Sequence, residues 1–359
     1  MLYVFNRKTL EKPNENILLI EGKIIEFCLR KELKKIFFLT AIKSPCVICC
    51  RCSPTQKSEI VKKIKRYIKK NERTCSIGDG GNDVPMILKA DIGIGIIGKE
   101  GLQASLSSDF SIQKFEILNN LLLWYGRLTY KNSAKISNFI IHRGLIISFI
   151  QCIFSCIFYY NAVALYNGFL ILGYSTLYTI FPAMSLLLDY DINYNDVIKF
   201  PSLYKGLLKG RELSIKNFLG WTWKSIFQAT IIMIGSIYLF TDNIFLKIVT
   251  ITFTELIFAE VLNVYLVIKH FSCPIICSLI GTCFIYLFSL ITLKNLLNIY
   301  SIFEFQTIKN ILIIALISWL PIEVFNCIVT ISSESEIERC KTHEMKDEKE
   351  EVLLNNLNI

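Results

Sequence analysis

The sequence predicts a doubly wound α/β region followed by an all-α transmembrane bundle of about six helices, and three observations carry that reading. Short apolar runs alternate with helical patterns in residues 1–135, which also hold most of the lysines and arginines, whereas residues 144–188 contain no charged residue. A glycine-rich string with two aspartates, Gly78-Asp-Gly-Gly-Asn-Asp83, closes one of the predicted strands. Hydrophobic residues make up 53% of the 359-residue chain and the mean hydropathy is +0.46, which excludes a single soluble core.

Residues 17–20, 47–50 and 74–77 read as strands, and 23–41 and 54–70 as helices between them. That alternation implies a parallel sheet with helices on both faces. The second helix starts well, with Ser53 as N-cap, Pro54 at the first helical position and Gln56 at the capping-box position. Its apolar stripe is Ile60, Ile64 and Ile68. Lys62, Lys63, Lys65, Arg66, Lys69 and Lys70 form a solvated basic remainder. After the glycine string come a short helix over 84–89 and a strand over 92–96, and a helical pattern from 116 to 138 forms a stalk leading into the membrane.

Apolar stretches near the length needed to cross about 30 Å of hydrocarbon fall at 139–160, 168–188, 221–241, 246–268, 272–293 and 308–331. The loop from 189 to 220 carries Lys199, Lys205, Lys209, Arg211 and Lys216, while 161–168 has no charge, so the longer loop is expected in the cytosol. The organisation is therefore 1–115 soluble, 116–138 stalk, 139–331 membrane, and 332–359 a polar, Glu-rich tail that reads as disordered.

The net charge of +9 is spread over helix faces and membrane-flanking loops rather than interleaved with aromatics, so no nucleic-acid partner is expected. No secretory signal pattern opens the sequence. Thirteen cysteines form no paired extracellular pattern and suit a reducing compartment. Cys46, Cys49, Cys50 and Cys52 contain one C-x-x-C spacing, but lack a second ligand pair for zinc and are expected to be buried structural thiols.

Asp79 and Asp83, four residues apart on a glycine-rich turn with Asn82 between them, suit a hard cation that prefers oxygen and keeps water, which means magnesium. Gly78, Gly80 and Gly81 let backbone approach a phosphate.

The longer string Ile77-Gly-Asp-Gly-Gly-Asn-Asp-Val-Pro-Met86 resembles the haloacid dehalogenase superfamily motif in its P-type ATPase form. Cys49-Cys-Arg-Cys-Ser-Pro-Thr-Gln-Lys57 resembles that family's phosphate-lysine segment. The resemblance implies a partial haloacid-dehalogenase-like phosphorylation domain. In it Lys57 would neutralise phosphoryl charge, Asp79 would ligate magnesium, and Asn82 and Asp83 would hold the metal's water shell and the loop. Lys99-Glu-Gly-Leu-Gln-Ala-Ser-Leu106, Asp109-Phe-Ser-Ile112 and Gly126-Arg-Leu-Thr-Tyr-Lys-Asn-Ser133 look like type-IV phospholipid flippases. Ile141-His-Arg-Gly-Leu-Ile-Ile147, Tyr178-Thr-Ile-Phe-Pro-Ala-Met-Ser-Leu-Leu-Leu-Asp189 and Leu207-Leu-Lys-Gly-Arg211 resemble the Golgi and endosomal branch.

The resemblance implies an ATP-driven aminophospholipid flippase using an aspartyl-phosphate cycle in Golgi or endosomal membranes, with an accessory subunit left open. No D-K-T-G-T string occurs in these 359 residues. The chain is therefore expected to begin within the phosphorylation domain, to need the family's N-terminal portion, including its ATP-binding domain, and to be inactive alone. A cation-transporting P-type ATPase, a non-catalytic membrane partner and a membrane-anchored phosphatase are the alternatives.

Ionisable residues inside spans are functional candidates. His142 and Arg143 lie just inside the first span, where they either snorkel or meet a lipid head group. Glu255 and Glu260 are five residues apart and do not share one helix ridge. The first two spans supply no carboxylate before Asp189, which favours lipid over a metal ion as cargo.

Overall fold

The computed structural model describes residues 17–67, 73–98, 102–160, 163–200, 213–239, 245–293 and 305–332, with positions 203, 204, 207 and 297. The chain divides into two compact units, Met1–Asn120 and Leu121–Ile359. In the first, β1 (Ile17–Glu21) leads through α1 (Gly22–Cys28) and α2 (Lys31–Lys43) to β2 (Cys46–Cys50), and α3 (Pro54–Tyr67) leads to β3 (Cys75–Gly78). A helical turn at Gly81–Asp83, α4 (Val84–Ile87), β4 (Ile92–Ile96), α5 (Gln103–Ser107) and β5 (Phe110–Ile112) follow.

All ladders are parallel, as helical crossovers require. They do not form the single expected sheet: β1 pairs with β2, and β3, β4 and β5 form a separate sheet in that order. A crossover pattern in sequence establishes strand direction but leaves open which strands are neighbours. The three-residue β5 was not anticipated, being too short to show alternation. The expected helix over 23–41 breaks at Leu29–Arg30, which lets Ile25, Cys28, Phe37 and Phe38 all enter one core with Leu18 and Ile20.

Helix α3 begins as its sequence requires. Ser53 Oγ accepts from the Gln56 amide at 3.3 Å and the Ser53 amide donates to Gln56 Oε1 at 3.0 Å, a reciprocal cap. Ile60 and Ile64 pack against the core, while Ile68, Lys69 and Lys70 lie outside the described residues. Phe38 is fully buried and stacks on Tyr67 at 5.5 Å; burying such a ring contributes about 1.5–3 kcal/mol.

The cysteine expectation needs correcting. Cys46 and Cys50 are exposed and Cys49 and Cys52 half-buried, so none of the four is fully buried, whereas Cys28 on α1 is. On the β1–β2 sheet Leu18 and Ile20 face the core, but Ile17, Leu19 and Ile48 on the opposite face are exposed, so nothing described here covers the outward strand positions.

In the second unit one continuous helix, α6 (Ile117–Ile157), joins the expected stalk to the first span, with a π-helical segment at Asn120–Gly126. Then come α7 (Gly168–Leu188), π-helical at Tyr174–Tyr178, and the short α8 (Tyr194–Lys199). The long helices α9 (Ile215–Leu239), α10 (Phe245–Val267), α11 (Cys273–Thr292) and α12 (Phe305–Ser332) complete it. Among the described residues four helices, α6, α7, α11 and α12, are long and apolar enough to cross a membrane by length and composition.

Helices α9 and α10 occupy the positions of the other two expected spans. Helix α10 buries Ile248–Ile257 without interruption and again Ala259, Glu260, Asn263 and Val264, so polar side chains on it meet neighbouring helices. The core of the unit gathers Ile146 and Ile150 of α6, Met233 of α9, Phe253 and Leu256 of α10 and Tyr286 of α11. Large apolar side chains such as Phe284, Phe288, Leu312 and Leu316 face outward, the pattern of helices solvated by lipid. The tail beyond 332 and most of the Leu207–Arg211 motif lie outside the described residues.

Candidate active site and the buried polar groups of the membrane unit

Strand β3 ends at Gly78, and the next five residues turn through Gly81–Asp83 into α4, with the Asp83 amide donating to Gly80 O at 3.0 Å. Gly78 is required here: a Cβ on it would stand 2.3 Å from Asp83 Cβ, so only glycine lets the Asp83 side chain fold back over the strand end. Asp83 then meets Lys57, whose Nζ lies 2.7 Å from Asp83 Oδ1. Lys57 is one turn into α3, its amide bonded to Ser53 O at 3.0 Å, so the capped start of that helix sets its reach.

Asp79 and Asn82 are exposed on the same turn, and Asp79 has no side-chain partner among the described residues. Six of the expected residues, Gly78 to Asp83, thus share one short segment, and Lys57 joins them from α3. The base of the segment is braced by Asp91, which accepts from the Thr74 amide at 3.0 Å, Thr74 Oγ1 at 2.8 Å and Lys65 Nζ at 2.8 Å. The Lys65 ammonium and the Thr74 donors hold its carboxyl well below the usual carboxylate range.

The donor set fits magnesium. Two carboxylates stand on a glycine turn, one of them without a side-chain partner among the described residues. One or two carboxylates, with the remaining positions left to water and substrate oxygen, is how magnesium is usually held at phosphoryl sites.

In the membrane unit, His142 is fully buried rather than snorkelling. Its Nδ1 lies 2.7 Å from Ser225 Oγ and its Nε2 lies 2.9 Å from Asn263 Nδ2. Ser225 Oγ donates to Trp221 O, and Asn263 Nδ2 also donates to Gln228 Oε1. Ser225 has given its one hydrogen to Trp221 O and so accepts from Nδ1, while Asn263 has a second amide hydrogen to donate to Nε2, an arrangement that suits the tautomer protonated at Nδ1. Arg143 is half-buried and donates to Thr179 Oγ1 at 2.7 Å and Ser175 O at 3.2 Å, which ties α6 to the π-helical part of α7. Glu260 Oε1 accepts from Tyr174 OH at 2.9 Å, while neither oxygen of the buried Glu255 has a partner among the described residues.

A second charged cluster lies where α7 ends. Asp191 accepts from Arg127 at 2.5 and 2.9 Å and from Lys131 at 2.8 Å. Asp189 accepts from Lys135 at 2.6 Å and from the His270 amide at 3.0 Å. Burial alone would raise the Asp191 carboxyl, but the Arg127 and Lys131 donors outweigh it and hold it below the usual range. Tyr174, Ser225, Gln228, Asn263 and Asp191 were not singled out from sequence. Their only signal is polarity within or beside apolar helices.

A sequence profile described as the phospholipid-translocating P-type ATPase C-terminal region matches residues 105–335. The chain belongs to the phospholipid-translocating P-type ATPases. It is 44% identical over 323 residues to the "Probable phospholipid-transporting ATPase IIB" of Danio rerio, covering 90% of this chain and 28% of that protein. It is 38% identical over 315 residues to the "Probable phospholipid-transporting ATPase tat-5" of Caenorhabditis elegans, covering 88% and 29%. To the "Phospholipid-transporting ATPase neo1" of Schizosaccharomyces pombe it is 38% identical over 314 residues, covering 88% and 30%. The chain thus spans less than a third of the length of each of those relatives.

Proposed function

We propose that this chain forms the C-terminal part of an ATP-driven flippase that moves aminophospholipids toward the cytosolic leaflet through an aspartyl-phosphate cycle. The observation that carries the reading is the Lys57–Asp83 pair beside the open Asp79 carboxylate, in a chain whose membrane region matches the phospholipid-translocating family. Asp79 and Asp83 would hold magnesium, which when bound supplies positive charge against the phosphoryl oxygens. Lys57, released from Asp83, would place its ammonium on the phosphoryl group. Asn82 would orient water on the exposed turn, and the Gly80 and Gly81 backbone would admit the phosphate.

The acceptor aspartate and the ATP-binding domain would come from sequence outside these 359 residues, which contain no D-K-T-G-T string. A strand bearing that aspartate would fit between the unpaired β1–β2 and β3–β5 sheets, whose ligand-bearing loops Lys57 and Asp83 already join. The chain alone would then neither hydrolyse ATP nor move lipid. In the membrane unit six helices, including α9 and α10, would cross the bilayer, with the basic loop after α7 in the cytosol, and Golgi or endosomal membranes would be the site of action. His142 and Arg143 would border the head-group path through the hydrogen bonds that fix them between helices.

The test is acid-stable, hydroxylamine-sensitive labelling by ATP together with lipid-stimulated turnover, measured on the complete protein and on this chain alone. Labelling confined to the complete protein, with stimulation by aminophospholipid and not by metal cations, is expected. Labelling of the isolated chain, or stimulation by a cation alone, would falsify the reading.

A further inference from the structure

The function proposed above gives no part to Tyr174, which opens the π-helical segment of α7, or to Glu260 on α10. The segment seats both of its tyrosines inward and leaves Thr176 and Leu177 exposed. The Tyr178 ring meets Phe253 of α10 and Tyr286 of α11 edge-on, each at 5.8 Å. Tyr174 is buried, and its hydroxyl lies 2.9 Å from Glu260 Oε1 and 3.3 Å from Arg143 O. A hydroxyl has one hydrogen to donate, and the shorter contact, to the carboxyl oxygen, takes it.

Glu260 depends on that contact in turn. It is 1% exposed and its Oε2 has no partner among the described residues. His142 Nε2, 3.8 Å from Oε1, stands beyond hydrogen-bonding distance. A buried polar group left without its hydrogen bond is costly, so Tyr174 and Glu260 hold each other. The connection continues to Arg143. Thr179 Oγ1 donates to Tyr174 O, five residues earlier, at 2.6 Å and accepts from the Arg143 guanidinium at 2.7 Å, while Ser175 O accepts from the same guanidinium at 3.2 Å. Both acceptors that aim Arg143 thus belong to the turn whose first residue is tied to Glu260. A π-helical turn departs from the ordinary i→i+4 ladder, so contacts of this kind define its shape.

We propose that Tyr174 and Glu260 are positioning residues for head-group recognition: Glu260, through the Tyr174 hydroxyl, sets the π-helical turn of α7 that aims the Arg143 guanidinium. The inference rests on the reading of Arg143 as a border of the head-group path. Both residues are buried, so neither is itself a contact for the lipid. Removing the Tyr174–Glu260 bond lets the turn shift and frees Arg143 from Thr179 Oγ1 and Ser175 O. The loss then falls on lipid affinity, because the residues assigned to phosphoryl transfer belong to the first unit.

The experiment measures ATP turnover of the complete protein in detergent against mixed micelles of graded phosphatidylethanolamine content. Tyr174→Phe and Glu260→Ala are each expected to raise the half-saturating lipid concentration about tenfold, the effect of losing one hydrogen bond to a charged group, with maximum turnover within about twofold of wild type. Glu260→Gln keeps an oxygen to accept from Tyr174 and is expected to stay within about threefold of wild type. Tyr174→Phe added to Arg143→Ala should raise the concentration no further than Arg143→Ala alone, since the two act through one guanidinium. A half-saturating concentration unmoved in Tyr174→Phe, an effect that adds fully to that of Arg143→Ala, or an equal fall in maximum turnover and in labelling by ATP would each overturn the proposal. Where Glu260→Ala does not fold, the comparison of Tyr174→Phe with Glu260→Gln decides. Wild-type protein that no phospholipid stimulates would sink the flippase reading and this inference with it; a stimulated wild type with an unchanged Tyr174→Phe sinks the inference alone.

Discussion

Lys57 Nζ stands 2.7 Å from Asp83 Oδ1 and so joins the helix that follows β2 to the loop that follows β3, although those strands lie in different sheets. Lys57 is about one-third exposed and Asp83 less so, so solvent screening keeps the pair's contribution to stability near the surface range of about 0–1 kcal/mol. Its significance is positional. It holds together a cation and a carboxylate carried by elements of separate sheets, the two groups to which the proposed function assigns the phosphoryl group and its metal.

Asp79→Asn in the complete protein is expected to abolish magnesium-dependent phosphoenzyme formation. Removing one charged ligand from a phosphoryl-transfer site costs about 3 kcal/mol or more of transition-state stabilisation, over a hundredfold in rate. Acid-quenched labelling with ATP measures it. A loss of only a few-fold would show that Asp79 serves the turn and not the metal.

Gly78→Ala tests the geometry of the same loop without touching a charge. The added methyl would meet Asp83 Cβ at 2.3 Å, and because both atoms belong to the strand-turn junction neither yields cheaply. A destabilisation of about 1–3 kcal/mol is expected, with magnesium affinity reduced because Asp83 is displaced from Lys57. Chemical denaturation and magnesium titration of phosphoenzyme formation check the two effects. Wild-type behaviour in both would mean that the loop relaxes freely.

Arg143→Ala is expected to lower lipid-stimulated turnover while leaving phosphorylation by ATP intact, because Arg143 bonds Thr179 Oγ1 and Ser175 O within the membrane unit. Arg143→Lys retains the charge but loses the planar fork, so partial activity is expected. Equal loss of labelling and turnover in the alanine variant would assign Arg143 a folding role instead.

Much of the first unit was legible because its signals are local. The Ser53–Gln56 cap, the strand at 46–50 and the glycine turn at 78–83 each rest on residues within a few positions of one another. What was not legible depends on distance in sequence. The separation into two sheets, the exposure of Cys46 and Cys50, and the break at Leu29–Arg30 follow from what covers each face. The same limit applies in the membrane unit. His142 and Glu260 stood out as ionisable residues in apolar runs, but their fixing by Ser225, Asn263 and Tyr174 joins residues more than 80 positions apart. One sequence without covariation does not reveal such pairs.

Asp191 gives the last prediction, on stability and its pH dependence. Its carboxylate sits between the buried Arg127 guanidinium and Lys131. Asp191→Asn leaves those cations without this countercharge, and removing one partner of a buried ion pair costs about 3–5 kcal/mol. The donors depress the folded-state carboxyl below its unfolded value, so the contribution is complete above about pH 4, the unfolded aspartate value, and fades as pH falls through the lower folded value. Wild-type protein should therefore lose stability on acidification below about pH 4 more steeply than Asp191→Asn, and the two should converge at low pH. Trp124, which packs on Tyr190 at 6.4 Å and Tyr194 at 5.6 Å beside this cluster, provides a fluorescence probe for thermal unfolding in detergent. Parallel stability curves for the two proteins from neutral to acid pH would show that the cluster orders the loop without holding the unit together.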